Sequence, residues 1–167
     1  MVERNTKILI QLVSEILDFR KVQNNKAVLK LNRFNLAETL RLWADDFDAV
    51  TSRKGITVKV DAPADAAQAT VIADRDKLAR VFFNLMSNAV KYTPKDGTIT
   101  ITLRHNGGSF FFTMNNDSVK TISKDDLPHI FERFYQPKGS IGGTGIGLAL
   151  VKANVDLHHG SISATSS

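Results

Sequence analysis

The stretch 84–94, Asn84-Leu85-Met86-Ser87-Asn88-Ala89-Val90-Lys91-Tyr92-Thr93-Pro94, limits this chain most, because a helix drawn through it has two contrasting faces. Asn84, Asn88 and Lys91 are spaced i, i+4, i+7, so two amides and an ammonium share one edge, suited to a metal ion and phosphates. Leu78, Val81, Phe82, Leu85 and Ala89 fall on the other side as an apolar stripe that must pack on a core. One helix therefore serves both core and ligand. Asp74 or Asp76 can cap its start, and Thr93-Pro94 ends it, since the residue before a proline is pushed out of the α region. A second cluster, Gly142-Gly143-Thr144-Gly145-Ile146-Gly147, combines alternating glycines with a following helix. Gly143, Gly145 and Gly147 allow close backbone approach and positive φ, and the helix start offers free N–H groups to phosphate.

The rest of the chain bounds this picture. With 167 residues and 43% hydrophobic content there is enough for one core and an appended helix. The 22 basic and 17 acidic residues are dispersed, without a basic run interleaved with aromatics, so the net +5 reads as a solvated surface and not a nucleic-acid footprint. The absence of cysteine excludes disulfides and thiolate metal sites and fits a reducing compartment. No apolar run reaches the roughly 18–20 residues that span a bilayer, which suggests a soluble piece.

Taken in order, residues 4–24 read as a helix with Leu9, Leu12, Val13, Ile16 and Phe19 in a stripe widened by Ile10 and Leu17, broad enough to ask for partner helices, the alternative being that it packs back onto its own domain. A polar break at 23–26 precedes an expected strand at 28–31 and a helix over 36–53, capped by Asn35 and stopped by Gly55. Strands are expected at 56–60 and 70–73, with a small-residue loop at 62–68 between them. The long helix leads to a hairpin, 98–104 and 109–115, across Asn106-Gly107-Gly108. A short helix at 125–134, a helix at 145–158 and a last strand at 161–165 follow. Hairpins alternating with helices imply an α/β (α+β) two-layer sandwich: a mixed β-sheet covered by helices on one face.

These motifs resemble those of sensor histidine kinases. Residues 84–92 are similar to the family's N box, Phe131-Glu132-Arg133-Phe134-Tyr135 to its F box, and Gly143-Thr144-Gly145-Ile146-Gly147-Leu148 to its second glycine box. The ending Leu17-Asp18-Phe19-Arg20-Lys21 resembles the second helix of the dimerisation and histidine-phosphotransfer hairpin. The resemblance implies a Bergerat ATP-binding fold, with residues 1–24 as that dimerisation-type helix and 25–167 as a catalytic and ATP-binding domain stopping before its last strand. It also implies that Asn88 is a Mg²⁺ ligand, that Asn84 holds metal-bound water or phosphate, and that Lys91 and Tyr92 meet phosphate and nucleotide. Where the ATPase relatives carry a glutamate as base, Asn84 is a far poorer base, which favours phosphoryl transfer over hydrolysis. Residues 136–142 match a short ATP lid with Lys138 as its cation, and Phe131, Phe134 and Tyr135 read as core or hinge anchors for it.

The first glycine box departs from the family's Asp-x-Gly-x-Gly pattern, reading Asn115-Asn116-Asp117-Ser118-Val119-Lys120-Thr121-Ile122. Counting back from Ile122 selects Asp117 as the acceptor of the adenine amine. Strand alternation through Phe110, Phe112 and Met114 selects Asn116, with Ser118 in the first glycine slot. None of His105, His129, His158 and His159 matches the phosphoacceptor, which the resemblance puts on another helix. The implied protein uses ATP and Mg²⁺, relays phosphate to a response-regulator receiver domain, forms a homodimer through its N-terminal helix, and is the cytoplasmic portion of an inner-membrane sensor; the glycine-free first box further resembles that of hybrid sensors, which carry receiver domains in the same chain. The rival readings are a degenerate dimerisation module, suggested by the altered adenine loop, and a Bergerat-type ATPase.

Overall fold

The computed structural model describes residues 2–23 and 28–167. In chain order its elements are α1 (Val2–Gln23), β1 (Asn32–Asn35), α2 (Leu36–Asp45), α3 (Asp48–Lys54), β2 (Thr57–Asp61), α4 (Ala66–Ala69), β3 (Thr70–Ala73), α5 (Arg75–Tyr92), β4 (Thr98–Asn106), β5 (Ser109–Asn116) and α6 (Gly147–Leu157). They form two compact units, residues 30–121 and residues 1–29 with 122–167. Positions 24–26 of the expected polar break lie outside the described residues.

The 30–121 unit holds a mixed sheet, β2-β4-β5, with β2 parallel to β4 and β5 antiparallel to it, and a separate antiparallel pair, β1-β3. Period two decides which side of the sheet is covered. On β4, Ile99, Ile101 and Leu103 are fully buried, while Thr98, Thr100 and Thr102 are half-buried and Arg104 is exposed. Phe82 and Met86 of α5 join the same core, with Leu36, Leu40 and Trp43 of α2. The rings of Trp43, Phe47, Phe82, Phe83 and Phe112 form a chain of tilted and edge contacts with centroids 5.5–6.5 Å apart. The hairpin closes as expected: Asn106 pairs with Ser109, and Gly107 and Gly108 both take positive φ, as a two-residue turn between twisted strands demands.

Five expectations are corrected. Residues 28–31 are not a strand: Val28 and Leu31 are exposed, and pairing starts at Asn32, opposite Ala73. Asn35 caps α2, accepting from the Glu38 N–H, but the helix expected over 36–53 breaks at Asp46–Phe47, where Phe47 turns into the aromatic chain. The loop 62–68 contains the start of α4, capped by Asp65. The helix expected at 125–134 is a single 3₁₀ turn, Leu127–His129, with Pro128 inside it. Residues 161–165 pair with no strand among the described residues.

In the second unit α1 lies against α6. Its expected apolar stripe is mostly in solvent: Leu9, Ile10, Val13 and Leu17 are exposed. Phe19 is half-buried beneath the Arg133 guanidinium, 4.7 Å from the ring centroid. Ile16, Phe19 and Arg20 of α1, with Arg133, Phe134 and Ile146, line a cavity of about 270 Å³.

Candidate functional site

The start of α5 is fixed by Asp74, whose buried carboxylate accepts from the Lys77 N–H at 3.1 Å and the Lys30 N–H at 2.9 Å. Val81, Phe82, Met86, Ala89 and Val90 are buried, and Leu78 and Leu85 half-buried, as the apolar stripe requires. That packing turns Asn84, Asn88 and Lys91 to the remaining face, where all three are half-buried. Asn84 donates through Nδ2 to the Arg80 carbonyl at 2.8 Å, which leaves its amide oxygen to accept. Asn88 makes no side-chain hydrogen bond among the described residues. The Lys91 ammonium lies 5.0 Å from the Tyr92 ring centroid. At the helix end Thr93 is buried, and both its N–H and its hydroxyl go to the Ala89 carbonyl.

In the same unit, β5 ends at Asn116 opposite Ile99. Asp117 extends the ladder, its N–H donating to the Thr98 carbonyl at 3.0 Å and its carboxylate accepting the Thr98 N–H at 2.8 Å. Asn116 donates to the Asp117 carbonyl at 2.8 Å, so its own amide oxygen can accept. The Ser118 hydroxyl closes a local turn on Lys120.

The other unit carries the remaining expected residues. Ile122 donates its N–H to Ser166 Oγ at 2.8 Å. Ile130 is buried, Phe131 half-buried and Lys138 exposed. Phe134 is exposed and has φ +63°, rare for a bulky residue, and its N–H donates to the Gly145 carbonyl at 2.8 Å. Tyr135 donates its hydroxyl to Asp126, which also accepts from the Ser123 hydroxyl at 2.7 Å. These two hydrogen bonds, Tyr135 first, hold the Asp126 carboxyl below its usual range, with Lys138 and His129 adding charge, and the Tyr135 phenol is pushed up in turn.

The glycine segment is held residue by residue. Gln136 Nε2 donates to the Gly143 carbonyl at 2.8 Å, Thr144 Oγ1 donates to Glu15 Oε2 at 2.6 Å, and the Ile146 N–H reaches Thr144 Oγ1 at 3.3 Å. Gly142, Gly143 and Gly145 all have positive φ, and at Gly145 a Cβ would stand 2.8 Å from the Phe134 backbone. Gly147 and Leu148 begin α6, whose N-cap residue, Ile146, supplies no side-chain bond to the first turn. The first-turn N–H groups of a helix have no partner within the helix itself. Glu15 and Gln136 were not legible as partners of this segment, since polar residues on a helix and in a loop give no signal of their target.

No group of three or more His, Cys, Asp or Glu able to hold a metal occurs among the described residues. A Mg²⁺ ion here would rely on amide oxygen, phosphate and water, a donor set that suits this hard cation and that Asn88 can join.

A family model described as histidine kinase-, DNA gyrase B- and HSP90-like ATPase matches residues 73–167, and the chain belongs to this family. Hybrid signal transduction histidine kinase D of Dictyostelium discoideum is 33% identical over 174 residues, covering 97% of this chain and 11% of that kinase. The chain thus spans about a tenth of the length of this relative. Among solved structures, full-length ShkA in complex with AMPPNP superposes with a TM-score of 0.78 at 24% identity, over 95% of this chain and 34% of that one. Histidine kinase ThkA in complex with the response regulator TrrA gives 0.75 at 24% identity, over 95% and 43%. Both likenesses establish the shared fold.

Proposed function

We propose that this chain binds Mg·ATP and is the catalytic part of a two-component sensor histidine kinase. The γ-phosphoryl group passes to a histidine outside residues 1–167: its bond to the bridging oxygen of ADP breaks, a P–N bond forms, and the imidazole loses a proton. Positioning and charge neutralisation supply most of the catalysis in such a transfer. The observation that carries the reading is the Asn88 amide, half-buried and without a side-chain bond among the described residues, one turn from Asn84 and nearly one from Lys91.

In this reading Asn88 ligates Mg²⁺, which bridges phosphates and offsets their charge. Asn84 orients metal-bound water or phosphate, and Lys91 meets a phosphate oxygen. Tyr92, Phe131, Phe134 and Ile122 border the nucleotide, and Lys138 supplies the lid's charge. The first-turn N–H groups of α6, with Gly143, Thr144, Gly145, Ile146, Gly147 and Leu148, receive phosphate. Asn116 is favoured over Asp117 as the adenine acceptor, because the Asp117 carboxylate already takes the Thr98 N–H; Ser118 replaces the glycine beside it. Asn84 in place of a glutamate base favours transfer over ATP hydrolysis.

Residues 1–24 are proposed as the dimerisation-type helix and 25–167 as the catalytic domain. The exposed side chains of Leu9, Ile10, Val13 and Leu17 support a homodimer through α1. A receiver domain, in another protein or in the same chain of a hybrid sensor, is the proposed acceptor of the relayed phosphate. Among the described residues no helix is long and apolar enough to cross a membrane, and the chain is proposed to be the cytoplasmic portion of an inner-membrane sensor.

Calorimetric titration with ADP, with and without Mg²⁺, beside Asn88→Ala tests the reading. Mg²⁺-dependent binding, weakened about tenfold or more by the substitution, is expected for loss of a metal ligand. Binding indifferent to both would remove the Asn/Lys face from the site.

A further inference from the structure

The last turn of α5 is tied down by Lys54, a residue that none of the sequence motifs includes. A helix end leaves its final carbonyls without intrahelical donors. At α5 the Ala89 carbonyl is satisfied by Thr93, whereas the Val90 and Thr93 carbonyls accept from Lys54 Nζ at 2.6 and 3.0 Å. Lys54 ends α3 and is half-buried. Its own carbonyl accepts the Asp96 N–H at 3.0 Å, so main chain and side chain together staple the segment after α5 to α3. Gly55 allows this closeness: it has φ +66°, and a Cβ there would lie 2.1 Å from Asp96 Oδ1. A cation at a helix C-terminus complements the helix dipole, and bonds from an ammonium are among the stronger ones.

Val90 and Thr93 bracket Lys91 and Tyr92. We propose that Lys54, by holding those two carbonyls, is a positioning residue for Lys91, which meets phosphate, and for Tyr92, which borders the nucleotide; the inference rests on the nucleotide reading above. Without the ammonium, the last turn frays and Lys91 no longer stays in register with Asn84 and Asn88. Lys54 does not touch the nucleotide and acts only through the turn.

The test is calorimetric titration with Mg·ADP of the wild-type chain, Lys54→Met, Lys54→Arg, Lys91→Ala and the Lys54→Met/Lys91→Ala double variant, with thermal unfolding followed in parallel. Lys54→Met is expected to weaken binding roughly five- to tenfold and Lys54→Arg about twofold or less, while the double variant binds no more weakly than Lys91→Ala alone, as coupled neighbours should. Affinity unchanged in Lys54→Met, or a loss that adds in full to that of Lys91→Ala, would overturn the inference. Should Lys54→Met not fold, Lys54→Gln, which keeps a donor without the charge, enters the same comparison. A wild-type chain that fails to bind Mg·ADP would contradict the nucleotide reading and this inference with it; wild-type binding with an indifferent Lys54 overturns the inference alone.

Discussion

The end of α5 and the glycine segment each display polar groups, and they are held in opposite ways. On α5 the display consists of side chains, and its support is packing: Phe82 and Met86 behind Asn84, Asn88 and Lys91 are 1% and 0% exposed. In the glycine segment the display is the main chain, and its support is a few hydrogen bonds, donated by Gln136 and by the Phe134 N–H and accepted by Glu15, around residues with positive φ. A site built on packing responds to lost volume, and one built on backbone geometry responds to an added methyl group.

The largest effect that separates the two is expected at Phe82. Phe82→Ala removes a ring that touches four other aromatic side chains and should cost about 3–5 kcal/mol, read from denaturant unfolding. A loss under about 1 kcal/mol would mean that the α5 face does not depend on this core. Gly145→Ala comes next. Positive φ costs on the order of 1–3 kcal/mol there, and the new methyl group meets Phe134 backbone atoms that cannot turn aside. Nucleotide affinity should fall while the Asn84 and Asn88 amide resonances of the free chain stay in place; a variant with unchanged affinity would show that this backbone geometry is dispensable.

Tyr135→Phe should have the smallest effect, and pH exposes it. The Asp126 carboxyl is depressed in the folded chain, so its contribution is present above the ordinary carboxylate value near 4 and is lost as pH falls through the depressed one. Tyr135 is raised, so its contribution is present below about 10 and is lost as pH rises through the raised value. In a carbon-detected NMR titration of Asp126, Tyr135→Phe should move the midpoint upward. An unmoved midpoint would place the cause of the depression elsewhere.

The same contrast explains what could be read from the sequence. In α5 the cap, the apolar period and the proline stop all act within a few residues, so Asp74, Phe82 and Thr93 announce the helix and its facing. The Asn106-Gly107-Gly108 turn is local in the same way. β1 was not legible, and the strand was expected at 28–31 instead, because the segment Asn32–Asn35 has a single apolar side chain, Phe34, and is fixed as a strand by pairing with β3. Around 125–134 the apolar spacing of Leu127, Ile130, Phe131 and Phe134 suggests a helix, yet the Tyr135–Asp126 bond and the bond from the Phe134 N–H to Gly145 select an irregular path. Glu15 and Thr144 are 129 residues apart, and nothing local in either announces the other.

The α5 face and the glycine segment are each proposed to respond to Mg·ATP. Nitrogen-15 NMR of the wild-type chain during titration with a non-hydrolysable ATP analogue and Mg²⁺ tests this most directly, following the side-chain amides of Asn84 and Asn88 and the backbone amides of Gly143, Gly145 and Gly147. Both sets are expected to shift as the analogue is added. A set that stays in place throughout the titration would contradict the proposed role of that element.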